Sequence, residues 1–315
     1  MKKPSIAVIG AGLAGIGAAR VLFDAGLRVV VFEKSRGLGG RCATKRWEGQ
    51  TIDHGAQYFT IRDPAFRAAL MSCCGPELLE MAAPIIDENG RPLPPAPRYF
   101  HAQGNSRIAR ALAEGLEIRT GVELQPVVDR KIGDEIFDQI ITTAPLPQTY
   151  RLARLPQSST PYDPCLTLLL LYHGEWLGVT REHYAVSDHS GHPLAWTACE
   201  NHKPDRILPG FTALVVQSSL EFSQEHLEEE PVVWASKLRS LAEDRWKIPA
   251  ACFHAMHPHR WRFARKSDAS FQIPTLPPGW HFTGDLLTDS RIESAWMAGR
   301  QTGQKLLRDL ELAID

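Results

Sequence analysis

Gly10, Gly12 and Gly15 stand between an apolar run, Ile6 to Ile9, and an alanine-rich segment. In the G-x-G-x-x-G spacing the three glycines serve a tight turn, a close approach of backbone to a pyrophosphate, and close packing of helix on strand. The helix that follows would face the phosphates with its unpaired amides. Glu33 ends a second apolar run 18 residues after Gly15, where a carboxylate accepts hydrogen bonds from ribose hydroxyls. Its charge disfavours a phosphate on that ribose, although Lys34 and Arg36 follow closely. This is dinucleotide chemistry, with a free hydroxyl on the adenosine.

A second glycine cluster, "SRGLGGR" from Ser35 to Arg41, follows at once. Gly39 and Gly40 let amides approach an oxyanion, and Arg41 adds a bidentate donor. A cofactor wrapped through the whole domain uses such a loop, and a plain nicotinamide-binding half does not, which points to FAD. In "IDHGAQYFT", Ile52 to Thr60, the small residues Gly55 and Ala56 lie beside the polar Gln57 and the aromatic Tyr58, so a flat ring can pass closely. Near the C-terminus, Gly284 and Asp285 end a short strand, and that carboxylate suits a ribityl or ribose hydroxyl. A helix beginning near Ile292, with Asp289 or Ser290 as its cap, would aim its positive end at the pyrimidine edge of a flavin.

The elements that must position these groups follow from hydrophobic patterning. Strand, helix and strand are expected over Ile6–Ile9, about Ala14–Ala25 and Arg28–Phe32, with Gly26 stopping the helix. Continuous apolar strands imply a parallel sheet covered on both faces. The proline-rich Pro84–Phe100 reads as a connector or an edge hairpin around Asn89-Gly90. A helix capped by Ser106 would bury Ile108, Leu112 and Leu116, and Phe137–Pro145 resumes a buried strand. Longer strands, "PCLTLLLLYHGEW" and "GFTALVVQSSL", then precede an acidic helical stretch in which Pro231 marks a first turn or a break. The expected organisation is discontinuous: residues 1–62, 98–149 and 256–315 form the dinucleotide domain, and residues 63–97 and 150–255 form a substrate domain.

The chain has 315 residues, a formal charge of -1 and 23% charged residues, which points to neither nucleic acid nor an acidic membrane as partner. Six cysteines lack the spacing of a disulfide framework or a zinc site, and the neighbours Cys73 and Cys74 are poorly placed to pair, so reduced cytosolic thiols are expected. The opening "MKKPSIAVIGAGLAG" fits strand, turn and helix better than a secretory signal, and the run Cys165–Tyr172 is too short to cross a bilayer. No metal is expected: His254, His257 and His259 lie around Pro258 with no helical ligand face.

Together, "VIGAGLAG", "FEKSRGLGGR", "DHGAQYFT", "AQGNSRIARAL", "TTAPLPQ", "HRWRFAR" and "TGDLLTDSRIESAWMAG" resemble the flavin-containing amine oxidase superfamily, and within it the compact renalase-like branch. The resemblance implies a glutathione-reductase-like FAD-binding domain of Rossmann type with a mixed-sheet substrate domain, and FAD held non-covalently. It places the cofactor contacts at Gly10, Gly12, Ala14, Gly15, Glu33, Lys34, Gly40, Arg41, His54, Gly55, Ala56, Gln57, Tyr58, Leu124, Gly284, Asp285, Arg291, Ile292 and Glu293. Leu124 would flank the adenine, while Gln57 and Tyr58 would lie near the isoalloxazine. The implied activity is oxidation of misreduced dihydropyridine isomers of NAD(P)H, with the hydride passing to flavin and dioxygen returning hydrogen peroxide. Two departures stand out. The strand Cys165–Tyr172 has no lysine of the kind amine oxidases place near the flavin, and Gln217 stands where renalase-like relatives often carry histidine.

A hydride acceptor needs position and dryness from the protein, with no nucleophile. Tyr58, His183, Trp196, Gln217 and Trp261 are the candidates for lining the ring face. Each also has a plain structural reading, Trp196 as core and His183 as a surface residue. An amine oxidase and a flavin-binding protein without turnover are the competing functional readings.

Overall fold

The computed structural model describes residues 3–157 and 160–311; Met1 and Lys2, which open the stretch weighed against a secretory signal, lie outside them. The opening strand Ser5–Ile9 is buried throughout and pairs in parallel with Arg28–Glu33 on one side and Gln139–Thr142 on the other. Glu117–Thr120 and Trp280–Phe282 complete the two edges of an all-parallel five-stranded sheet. The helix Leu13–Asp24 packs on this sheet, with Ala25 at its C-cap and Gly26 after it at φ 77°. It also lies against the C-terminal helix Ile292–Glu311 at very short range. A Cβ on Gly299 would stand 1.8 Å from the Ala14 carbonyl oxygen, and one on Gly17 2.5 Å from that of Trp296.

A second, six-stranded mixed sheet runs Phe253–Lys266, Tyr162–His173, Phe211–Ser218, Leu194–Cys199, Ala185–Ser187 and Ile85–Asp87. Helix Pro231–Trp246 covers one face through Trp234, Leu238 and Trp246, against Leu166, Leu168, Leu214 and Val216. Strand alternation sends Leu169, Leu171, Ala213 and Val215 to the opposite face, where they meet Ile52. Pro231 lies in the first turn of that helix, and a separate short helix, Leu220–Glu225, precedes it.

Two segments near the expected domain boundaries pack as follows. The expected return to the dinucleotide domain at residue 256 falls inside the strand Phe253–Lys266, which stays paired with Tyr162–His173 as far as Lys266. Pro258 is tolerated there because this is an edge strand. Helix Pro64–Cys74, expected in the substrate domain, buries Phe66 and Leu70 among Leu13, Ile16, Ile108 and Trp296 of the dinucleotide domain. Within the proline-rich stretch, Ile85–Asp87 joins the second sheet, and the chain turns back at Asn89-Gly90, where the Asp87 carboxylate accepts from Asn89 and Arg91.

Candidate functional site

The site begins at the turn after Ile9. Gly10 adopts φ 103°, and its amide donates to the Phe32 carbonyl (2.8 Å). A Cβ on Gly15 would lie 1.9 Å from the Gly10 oxygen, so helix and strand meet as the motif requires. At Gly12 the space a Cβ would take is open, and no side chain caps the helix that follows. The buried Glu33 carboxylate accepts from the amides of Ala11 (2.8 Å) and Ser35 (2.7 Å). It is thereby locked beside the first glycine loop with acceptor capacity left for a ribose hydroxyl. Lys34 is exposed. Leu124 is partly buried against Phe32's cluster, one strand end away from Glu33.

The second glycine loop is docked on the first. Gly39 donates to the Ala11 carbonyl (2.9 Å) and bridges Gly12, and a Cβ on Gly40 would lie 3.6 Å from Gly12 Cα. Arg41 has partners within the protein. Its two terminal nitrogens bind the Asp285 carboxylate at 2.8 and 2.5 Å, and one also donates to the Ala264 carbonyl (3.0 Å). A carboxylate matches the bidentate fork as well as a phosphate does, and this one is 6% exposed. At Gly284 nothing stands within 4 Å of a Cβ position, so backbone there is open to close approach.

The segment His54 to Tyr58 crosses the face of the second sheet. A Cβ on Gly55 would collide with the Arg41 carbonyl, and Ala56 donates to that carbonyl (2.9 Å) and accepts from Asn105 Nδ2 (2.9 Å). Three of the expected pocket residues, from three strands, each give this segment one hydrogen bond. Trp261 Nε1 reaches the His54 carbonyl (3.2 Å), Gln217 Nε2 the Gly55 carbonyl (3.1 Å), and Trp196 Nε1 the Gln57 side-chain oxygen (2.9 Å). Tyr58 lies 5.9 Å from the Trp196 ring, and His54 stacks on Trp261 at 5.5 Å. Gln57 Nε2 and His54 Nδ1 are buried without a partner. Burial, then the neighbouring His259, pushes the His54 imidazole down to about 3; burial, then His257, pushes His259 down to about 4. Both rings are neutral near pH 7, giving the site an aromatic, uncharged wall.

His183 lies elsewhere. It packs 4.7 Å from the Trp246 ring on the helix-covered side of the sheet, and is a buried core residue, neither pocket nor surface. At the start of the C-terminal helix, Arg291 occupies the cap position, its carbonyl accepting from Ala295 (3.0 Å). The Asp289 carboxylate pairs with the Arg291 guanidinium and hydrogen-bonds the Ser294 side chain in the first helical turn, while Ser290 Oγ accepts from the Lys266 amide. Glu293 turns its carboxylate to the amides of Arg62 (2.7 Å) and Asp63 (2.6 Å), and Ile292 is buried against helix Pro64–Cys74. These two residues hold the helix start in place. Ser106 is the first helical residue of Ser106–Leu112, after Asn105.

Sequence reasoning missed a buried ionic network under the site. Asp53, Glu200 and Lys203 are fully buried and Arg206 nearly so. Lys203 Nζ binds Asp53 (3.0 Å) and Glu200 (2.9 Å), Arg206 binds Asp53 (2.9 Å), and the Tyr184 hydroxyl lies 3.1 Å from Glu200 and 3.4 Å from Gln57 Oε1. Burial pushes the Asp53 carboxyl up, but Lys203 and Arg206 outweigh it and hold the group below its ordinary value. Asp53 also accepts from Thr44 and the Asn105 amide, which ties the network to helix Ser106–Leu112. A charge triplet in "ENHKPDR" looks like any solvated turn, so only the fold reveals it.

Residues 8–72 match the family described as NAD(P)-binding Rossmann-like domain. The chain is 44% identical over 52 residues to a carotenoid phi-ring synthase of Streptomyces griseus. It is 35% identical over 91 residues to a lysine-specific histone demethylase 1B homolog of Caenorhabditis elegans. These matches cover 16% and 28% of this chain and 10% and 11% of the relatives, so the chain spans about a tenth of the length of the curated relatives it matches. Among solved structures, reduced UDP-galactopyranose mutase superposes with a TM-score of 0.76 at 11% identity, covering 97% of this chain and 96% of that one. A double mutant of putrescine oxidase gives 0.71 at 13% identity (97% and 99% covered), and cyclohexylamine oxidase from Brevibacterium oxydans gives 0.70 at 12% (98% and 100%). Among the described residues no helix is long and apolar enough to cross a membrane, and no group of three or more metal-ligating side chains occurs. The chain therefore has the α/β fold of these structures, a Rossmann-type dinucleotide-binding domain joined to a second, mixed-sheet domain.

Proposed function

We propose that this chain is an FAD-dependent oxidoreductase that holds FAD non-covalently and oxidises small molecules by hydride transfer. One observation carries the reading: the dinucleotide cradle at Gly10–Gly15 continues, through the docked loop at Gly39-Gly40, into the segment His54–Tyr58 beneath the second sheet. The residues fit the cofactor. Backbone is open at Gly12 and Gly284, and Glu33 is fixed for a ribose. When bound, FAD supplies the two-electron acceptor and delivers the electrons to dioxygen, giving hydrogen peroxide.

The finer reading is a renalase-type enzyme whose substrates are misreduced dihydropyridine isomers of NAD(P)H. An aromatic wall with neutral His54 and His259 suits a flat, uncharged ring. The buried Lys203 is committed to Asp53 and Glu200, and the strand Tyr162–His173 has no lysine, which disfavours the usual amine chemistry. Amine oxidation is kept as the second reading because putrescine oxidase and cyclohexylamine oxidase share the fold. Anaerobic rapid mixing separates them. Flavin bleaching by the dihydropyridine isomers supports the first reading, bleaching by primary or secondary amines the second, and bleaching by neither leaves a flavin-binding protein without turnover.

A further inference from the structure

Apart from the glycine loops and the segment His54–Tyr58, the end of helix Pro64–Cys74 and helix Ser106–Leu112 border a cavity of about 380 Å³. Cys73, partly exposed, and Cys74, 3% exposed, both line it, their sulfurs 3.8 Å apart. Consecutive Cα atoms stand about 3.8 Å apart, below the roughly 4.4 Å at which ordinary disulfides begin, so the pair is poorly built to close on itself. It can instead share a proton. When Cys73 ionises, the Cys74 thiol donates to it, and this hydrogen bond holds the Cys73 thiol below its ordinary value while pushing the Cys74 thiol up. Cys73 is also the more accessible of the two, which makes it the nucleophile.

The charges around the thiols are unspent. Arg107 and Arg110 line the same cavity, three residues apart on one helix, and neither guanidinium has an ion-pair or hydrogen-bond partner among the described residues. His101, 5% exposed, accepts from the Gln103 amide at Nδ1 (3.1 Å), which puts the proton of the neutral ring on Nε2. Burial keeps that ring neutral, and nothing among the described residues accepts from Nε2. Glu77 and Glu114 add two carboxylates to the wall. An occupant matched to these groups carries carboxylates for the arginines and His101, and an ammonium for a glutamate.

We propose that Cys73 is a modification site for a zwitterionic low-molecular-weight disulfide of amino-acid or peptide type, whose carboxylates Arg107 and Arg110 receive. In the exchange, the Cys73 thiolate attacks one sulfur of the reagent. A bond forms between Cys73 Sγ and that sulfur, the S–S bond of the reagent breaks, and the departing thiolate keeps the electron pair and takes up a proton from water. The protein gains a mixed disulfide, and no further oxidant is consumed. The site is independent of the FAD reading.

The test mixes the reduced protein with oxidised glutathione or with uncharged hydroxyethyl disulfide, and follows adducts by intact mass and peptide mapping. Expected is a single glutathionyl adduct on Cys73, absent in Cys73→Ser. The rate ratio of charged to uncharged reagent should fall about fivefold when Arg107→Gln and Arg110→Gln are combined, as for two partly exposed charge pairs. Cys74→Ala, which loses the donor, should slow both reagents alike. In wild type the rate ratio should also fall with added salt, and that measurement decides should the arginine variant fail to fold. An adduct on another cysteine, no adduct, an internal Cys73–Cys74 disulfide, or a rate ratio unchanged by loss of the arginines would overturn the proposal.

Discussion

Arg41 and Asp285, 244 residues apart in the chain, meet in a bidentate ion pair at 2.8 and 2.5 Å, with Arg41 also donating to the Ala264 carbonyl. One guanidinium thus joins the second glycine loop, the turn before the C-terminal helix, and the edge strand of the second sheet. On the FAD reading proposed above, the loop "SRGLGGR" would offer its glycines to the cofactor, while its arginine ties the loop to the rest of the chain.

Removing that clamp should loosen cofactor and fold together. Arg41→Ala strands a carboxylate that is 6% exposed. Because Arg41 itself is partly solvated, the expected loss is about 1–2 kcal/mol in urea unfolding, with weaker FAD retention. Arg41→Lys should recover little of it, since a point charge cannot reproduce the fork. Unchanged stability and retention in Arg41→Ala would reduce the loop to a passive connector.

The crossing of helices Leu13–Asp24 and Ile292–Glu311 depends on Gly299. Its added Cβ would lie 1.8 Å from the Ala14 backbone oxygen, an atom that cannot move without disturbing the phosphate turn. Gly299→Ala should destabilise by about 1–3 kcal/mol or more. Gly303→Ala, whose Cβ would meet the Ala18 oxygen at 2.9 Å, should cost less. Thermal melts of the two variants give the order, and equal melting temperatures would refute it.

What the sequence revealed was local. Strand, glycine turn, helix and acid lie within 33 residues, and each element sits within one or two positions of where patterning puts it. Partnerships over long separations were hidden. Asp53 and Lys203 are 150 residues apart, and nothing in either neighbourhood distinguishes a buried charge from a solvated one. The stretch "HAMHPHRW" reads as the start of a return to the dinucleotide domain, whereas it lies inside the edge strand Phe253–Lys266, where Pro258 is accommodated. By residue type His183 suits a pocket wall, but the turn before Tyr184 carries it to the far side of the sheet, against Trp246. Trp196, Gln217 and Trp261 stand out by type as well, but their hydrogen bonds to the segment His54–Tyr58 depend on a sheet in which Tyr162–His173 lies between the strands of Gln217 and Trp261.

The neutral histidines predict acid sensitivity. His54 takes up a proton near its ordinary value of 6.5 when unfolded and only near 3 when folded. The unfolded state therefore binds more protons between those values. The stability this group contributes is present above pH 6.5 and is lost progressively as the pH falls towards 3, with a slope of about 1.4 kcal/mol per pH unit. His259 adds in the same direction down to about 4. Urea titrations across this range should show the slope, and His54→Asn should flatten it. A wild-type protein equally stable at both ends would mean that the rings are not held neutral.

The ionic network beneath Gln57 should respond to pH in a charge-specific way. Asp53 titrates below its ordinary 3.8 when folded, so its contribution is present above 3.8 and is lost as pH falls through the lower, folded value. Lys203→Met removes one of two cations facing two buried carboxylates, leaving Arg206 alone with Asp53 and Glu200. An uncompensated buried charge costs about 3–5 kcal/mol, so at neutral pH the variant should unfold at much lower urea. Its deficit against wild type should narrow in acid, where protonating one carboxylate restores balance. Lys203→Met with Glu200→Gln rebalances the cluster at neutral pH and should regain part of the lost stability. A double variant no more stable than Lys203→Met alone would show that Lys203 acts by filling space and hydrogen bonding, with its charge immaterial.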